Sequence, residues 1–404
     1  MTIELPDFTD PTLYRHGEPH ELWRLLRAQP GLHRQPAGRR PAFWCAVRHA
    51  DVMTVLRESR LFSCESGMTV DSIREGRDPA AGQMLELTDP PAHRRLRRLL
   101  RHAFLAPAVD GLRKEVESLA ARLFDEADEG PETDFLEQVA KPLPVAVNAI
   151  IVGLSVSEAQ WIATRTSKVF LSAPPGGNGR PSSVTNEALR ANMDLLRYFE
   201  RRFAGSFTPR GNGGLLEILE SSQPDGESLT RREQAANALN LVVGGNESTK
   251  GALSNVVLTV ARNPHIWEQM RRRPELLDVA LEELVRFQPP ARHVTRKARA
   301  PGEVAGTAIN QGDVLVAWLS AANFDEEVFV NPHEIDIARR PNPHLSFGAG
   351  PHVCIGAAVA RLQLRTVLGE MLRRYRQVEL VSEPEYLASN VAARPAELRV
   401  RLRT

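Results

Sequence analysis

A single cysteine sits in the run Phe347-Gly-Ala-Gly-Pro-His-Val-Cys354-Ile-Gly356, framed by Gly348, Gly350 and Gly356. Glycine lets a backbone come close to something flat or bulky with no Cβ in the way. A thiolate held in such a loop can serve as an axial ligand to haem iron, donating electron density that favours O–O cleavage. The plainer reading of a lone cysteine is a small buried hydrophobe beside a flexible turn.

Other runs carry chemistry of their own. In Thr88-Asp-Pro-Pro-Ala-His93-Arg-Arg-Leu-Arg97 the histidine and final arginine lie four apart. They therefore share a helix face, and an arginine fork suits a carboxylate. The neighbouring Arg94, Arg95, Arg98 and Arg101 read as a solvated face, because no aromatic residues interleave as they would in a nucleic-acid patch. Glu283 and Arg286, three apart, can pair along one helix. The run Gly244-Gly245-Asn246-Glu247-Ser248-Thr249 interrupts a helical stretch. Adjacent glycines there cost roughly 1 kcal/mol each relative to alanine, which implies close approach of another body or tight helix packing.

The elements that must hold these residues are mostly helical. Apolar residues recur at three- and four-residue spacing over 21–28, 50–58, 107–126, 186–203, 234–262 and 275–287. Thr230 followed by Glu233 predicts a capping box at the start of the long middle helix. Short β-branched runs at 293–295, 314–318 and 398–402 suffice for small sheets only. Breaker clusters at 173–181 and 209–214 predict loops between helices, too short to be inter-domain linkers.

Taken in order, these runs resemble the cytochrome P-450 family of haem-thiolate monooxygenases. Residues 347–356 match its haem-binding loop. Glu283-Leu-Val-Arg286 looks like its E-x-x-R motif. Ala321-Ala-Asn-Phe-Asp-Glu-Glu-Val-Phe329, followed by Arg340-Pro-Asn-Pro-His-Leu-Ser-Phe347, resembles the approach to the cysteine. The resemblance runs from about Thr88 to near the carboxyl end. It implies one mainly α domain with small β-sheets over residues 1–404, holding haem b between a long central helix and the cysteine loop. It also implies that Cys354 ligates iron and that His93, Arg97, Arg296 and His352 hold the propionates.

On the central helix, Glu247 and Ser248 take the places of the family's acid and threonine, so proton delivery to dioxygen falls to them, with Thr249 as a neighbouring hydroxyl. Serine for threonine is a departure, and its freer rotamers weaken the expected coupling of oxygen use to product. Leu241, Gly245 and Ser248 share the face expected to look at iron and oxygen. By the same resemblance, Ala291, Arg292 and His293 run along the pocket edge. Alternation along a strand keeps Arg292 and His293 from both facing it. One of them binds a carboxylate or carbonyl of a polar substrate, or else Arg292 faces solvent or a propionate and His293 is merely packed. A second departure is Glu334, where the family tends to place a basic residue near the E-x-x-R pair. Either His333 takes over, or Glu334 binds Arg286 directly.

Composition bounds the rest. The formal net charge is +1, so nothing global points to nucleic acid or anionic membrane. Three cysteines form no disulfide framework and suit a reducing compartment. The amino terminus has neither a basic n-region nor an apolar h-region. The most apolar run, 145–154, is too short to span a bilayer. A cytoplasmic, unanchored chain follows as the expectation, and the resemblance implies a monomer of secondary metabolism. Its electrons would come from NAD(P)H through separate redox proteins, with a ferredoxin-type donor. No cysteine cluster suits iron–sulfur ligation, and no G-x-G-x-x-G follows a strand. Two alternatives stand beside the monooxygenase: a peroxide-driven or oxidative-coupling member of the same family, and a haem-thiolate sensor. The sensor would have no need of Glu247 and Ser248, and would carry a second, partner-facing domain.

Overall fold

The computed structural model describes residues 5–404 except 39, 74–75, 129, 170–182, 207–213 and 221–227. The breaker cluster at 173–181, and all but Gly214 of the one at 209–214, lie outside the described residues.

The fold is organised around one helix, Arg231–Arg262, whose 32 residues span about 48 Å at the usual rise. It opens on the expected capping box. Glu233 N donates to Thr230 Oγ1 at 3.2 Å, and Thr230 N donates to Glu233 Oε2 at 2.7 Å. Its second half is buried nearly all round, so it lacks the one-sided apolar stripe of a surface helix. Ala252, Leu253, Val256, Val257 and Val260 pack there with Leu281, Leu284 and Val285 of the helix Leu277–Phe287, and with Leu364, Val367, Leu368 and Met371 of the helix Ala357–Arg374. Each such side chain, fully buried, contributes about 1.5–3 kcal/mol before chain entropy is counted.

The expected helix at 107–126 is two: Ala106–Gly111 and Arg113–Ala127, with Leu112 at the joint. The other periodic segments form helices within a few residues of their expected ends. A five-stranded sheet runs in the order His33–Gln35, Phe43–Ala46, Val314–Trp318, His293–Ala298, Phe62–Ser63. Only the pair Phe43–Ala46 with Val314–Trp318 is parallel. The carboxyl-terminal strand Arg399–Arg403 pairs with Thr133–Asp134 and Gln377–Leu380. Among the described residues no helix is long and apolar enough to cross a membrane.

Candidate functional site: a hollow between the cysteine loop and the central helix

Cys354 sits just ahead of the helix Ala357–Arg374. Its N–H donates to Phe347 O at 2.9 Å, and Gly348 N donates to Leu345 O at 2.8 Å, which closes the loop on itself. Gly350 adopts φ +69°, and a Cβ there would stand 2.7 Å from Leu56 O. This glycine therefore seats the loop against the helix His49–Arg57. The Cys354 side chain is exposed by area, yet protein surrounds it on most sides. That combination describes a sulfur on the wall of an internal hollow. Burial raises its pKa, while the Gly356 N–H and the charges of Arg97 and Arg361 act the other way. Arg361 is itself fixed: it lies over the Phe347 ring, 4.3 Å from the centroid, and pairs with Glu282 at 2.7 Å.

A polar cradle flanks the sulfur. His93 and Arg97 come from the helix Ala92–Leu100, Arg296 from the strand His293–Ala298, and His352 from the cysteine loop. The His93 and His352 rings lie 4.2 Å apart. Both ring nitrogens of His93 are buried without a hydrogen-bond partner. Arg296 is 3 % exposed and gives Nη1 to Thr295 O at 2.8 Å. No carboxylate within salt-bridge distance pairs with Arg97 or Arg296 among the described residues. Burial, then the cations around them, lowers the pKa of His93 to about 4 and that of His352 to about 3. Buried cations and orphaned ring nitrogens are costly without a partner. The set therefore fits an anionic group with two carboxylates beside a thiolate-ligated iron, which is what iron protoporphyrin presents. Cys64 adds a contact the sequence did not suggest, with Sγ 3.5 Å from His352 Nε2.

Across the hollow runs the central helix. Gly244 and Ser248 are exposed in a stretch that is otherwise largely buried, and a Cβ at Gly244 would meet nothing within 4 Å. Leu241 and Ile355 join one apolar cluster, so helix and cysteine loop share a wall. The expectation for Gly245 is corrected. A Cβ there would lie 2.6 Å from Asn148 Oδ1, so this glycine serves close helix packing, and Gly244 is the one that opens the hollow. Thr249 is buried, away from the open face. Glu247 pairs with Lys250, a residue the sequence reading passed over although the three-residue spacing would have flagged it. Ser248 Oγ donates to Gly244 O within its own helix.

The E-x-x-R pair is buried and bidentate: Arg286 Nε and Nη2 reach Glu283 at 2.7 and 2.8 Å. Its further cation is Arg339 and not His333, and Glu334 meets Arg286 only through its main-chain oxygen, at 3.4 Å. Arg339 Nε stands 3.0 Å from both Glu283 oxygens, while the side chain of Glu334 takes a bond from Asn331 at the surface. Arg286 Nη1 donates to Asn323 O and Pro332 O at 2.8 and 2.9 Å, which ties the network to the segment leading into the cysteine loop.

The pocket-edge reading of Arg292 and His293 is overturned, and of its alternative the packed His293 holds while Arg292 faces neither solvent nor the cradle. Arg292 is wholly buried against Glu18, at 2.6 Å, and the Tyr14 ring, and donates to Ser389 O at 3.0 Å. His293 faces Asn390 O through Nδ1 and accepts from Val70 N through Nε2, both at 3.1 Å. Both side chains are spent on tying the amino-terminal and carboxyl-terminal segments to the sheet. Ala291 forms a bridge with Ala392 and is half-buried.

Comparison with known proteins agrees with this geometry. The Cytochrome P450 family profile matches residues 208–398. Nocardicin C N-oxygenase of Nocardia uniformis is 32% identical over 97% of this chain and 99% of its own length. Steroid C26-monooxygenase of Mycobacterium tuberculosis is 30% identical over 94% of this chain and 92% of its own. Among solved structures, P450 OxyD, involved in the biosynthesis of vancomycin-type antibiotics, superposes with a TM-score of 0.87 at 29% identity, covering 98% of this chain and 99% of that one.

Proposed function

The chain belongs to the cytochrome P450 family, and on that premise we propose that this haem-thiolate monooxygenase oxidises a small organic molecule of the secondary-metabolite type, with Cys354 as the iron ligand. The observation that carries the reading is the convergence of Cys354, Arg97, Arg296 and the orphaned nitrogens of His93 on one hollow. Relatives named for nocardicin C and for vancomycin-type antibiotics support the substrate class.

When bound, the haem supplies reductive activation of dioxygen through its thiolate-ligated iron. The chain's own residues hold it and manage protons. Arg97 and Arg296, with His93 and His352, bind the two carboxylates, and charge-assisted bonds of this kind are the stronger ones. Gly244 leaves room on the facing wall. Ser248 Oγ presents a hydroxyl there, and passes a proton only after leaving Gly244 O. Glu247, on parting from Lys250, relays to it a proton taken from solvent.

Electrons come from NAD(P)H through a separate ferredoxin-type donor. The exposed Arg94 and Arg101 support an acidic partner, whereas Arg95 is taken by Glu233 at 2.7 Å. The whole chain acts as one catalytic domain, a cytoplasmic monomer.

A second reading is favoured by one observation. With the Ser248 proton occupied in the helix and Glu247 held by Lys250, proton delivery is restrained, as suits oxidative coupling or peroxide use. One experiment separates them. Compounds that shift the ferric spectrum are turned over with surrogate redox proteins under isotopically heavy dioxygen. A product carrying one labelled oxygen atom is expected. An unlabelled product with two substrate carbons joined, or a product formed only with added peroxide, would establish the second reading, and no turnover of any spectral ligand under either condition would overturn both.

A further inference from the structure

Glu86 is a carboxylate that the fold places and that no partner among the described residues claims. It sits on the one-turn helix Leu85–Leu87, between two side chains buried in the core. That turn is clamped to the central helix. Leu85 N donates to Asn237 Oδ1 at 2.8 Å, and Asn237 Nδ2 donates to Gln83 O at 2.7 Å. Thr88 Oγ1 closes the turn by donating to Met84 O at 2.7 Å. On the central helix Asn237, Leu241, Gly244 and Ser248 follow at four-, three- and four-residue steps, so they form one stripe. Glu86 is therefore docked at the amino-terminal end of the stripe that walls the hollow.

The side chain is half-buried, and no hydrogen bond or ion pair reaches it among the described residues. The charges it feels are Arg296 on the sheet and Asp78 on the preceding loop, and its own charge is felt at Cys354 across the hollow. Burial, opposed in part by Arg296, raises its pKa to about 7. Once an anionic cofactor engages Arg296, that support weakens and the pKa rises further, so a cation on the ligand is what would keep the group ionised. A carboxylate carried on an anchored turn in such a place, with a second acid nearby, is complementary to a cation.

The geometry points to Glu86 as a specificity residue that recognises a positively charged group, such as a protonated amine, on the substrate. This rests on the reading of the hollow as the space above a haem.

The test uses ferric holoenzyme and arylalkyl-trimethylammonium ions with linkers of increasing length. Their quaternary nitrogen has no lone pair and cannot ligate iron. Each is compared, by calorimetric titration, with its neutral isostere carrying carbon in place of nitrogen. In the wild type the best cation should bind about tenfold or more tighter than its isostere, the scale of one charge-assisted contact. Glu86→Gln should bring that ratio to near one. Glu86→Asp should keep the preference but move the optimum to a longer linker. A wild type without preference for any cation, or a preference that survives Glu86→Gln, overturns the proposal. The carbon monoxide spectrum of each variant reports haem loading. A wild type that fails to load haem would sink the haem reading of the hollow, whereas a loaded wild type indifferent to charge sinks the role of Glu86 alone. If Glu86→Gln does not load, the linker shift in Glu86→Asp decides.

Discussion

Lys250 Nζ stands 2.7 Å from Glu247 Oε1, three residues back on the same helix, and both side chains are only 7% exposed. A pair this deep owes its persistence to mutual compensation, since neither charge has bulk water to return to. Lys250→Met should therefore destabilise the protein by about 3–5 kcal/mol, the cost of an uncompensated buried charge. The double variant Glu247→Gln/Lys250→Met should recover much of that loss. Denaturant unfolding of the holoprotein reads both, and a neutral Lys250→Met would show that Glu247 has another partner.

Ser248 is open to the hollow while Thr249 is buried, so the two hydroxyls should separate on mutation. Ser248→Ala should raise the peroxide released per electron consumed, with substrate affinity little changed. Thr249→Ala should stay close to wild type in that ratio. The reverse pattern would mean that the helix presents a different face during turnover.

Much of the site was legible because it is local. Cys354 with its glycines, and His93 with Arg97 four residues on, are short patterns that one loop and one helix fix by themselves. What escaped depends on partners far along the chain. Arg339 reaches Glu283 from 56 positions away, and no spacing rule links the two. Gly245 and Gly244 are adjacent, and only the presence of Asn148 at one side of the helix decides which of them opens the hollow. Alternation along the strand at 293–298 does not describe its burial, and it could not reveal that Glu18 claims Arg292 and Asn390 claims His293.

Arg292 should thus matter for stability and leave ligand recognition alone. Arg292→Ala strands Glu18 beside Tyr14 and should cost about 3–5 kcal/mol. The affinity of any spectral ligand should be unchanged. A fall in affinity without a fall in stability would return Arg292 to the pocket.

His293 gives the fold an acid limit. Burial lowers its pKa from 6.5 to about 3, and its Nε2 must stay unprotonated to accept from Val70 N. Between those values the unfolded chain binds a proton that the folded chain refuses, so stability falls as pH drops from about 6.5 towards 3 and this contribution is complete above 6.5. His293→Gln should flatten that part of the stability profile, measured by denaturant midpoints from pH 7 to pH 4. An unchanged slope would assign the acid sensitivity elsewhere.

The identity of the iron ligand is decided by the spectrum of the reduced carbon monoxide complex. Burial pushes up the pKa of all three thiols, that of Cys45 to about 12, and only Cys354 has an exposed side chain, Cys45 and Cys64 being buried. The wild type, Cys45→Ala and Cys64→Ala should show the strongly red-shifted Soret band of a thiolate ligand, and Cys354→Ala should lack it. A thiolate band that persists in Cys354→Ala would contradict the assignment of the site.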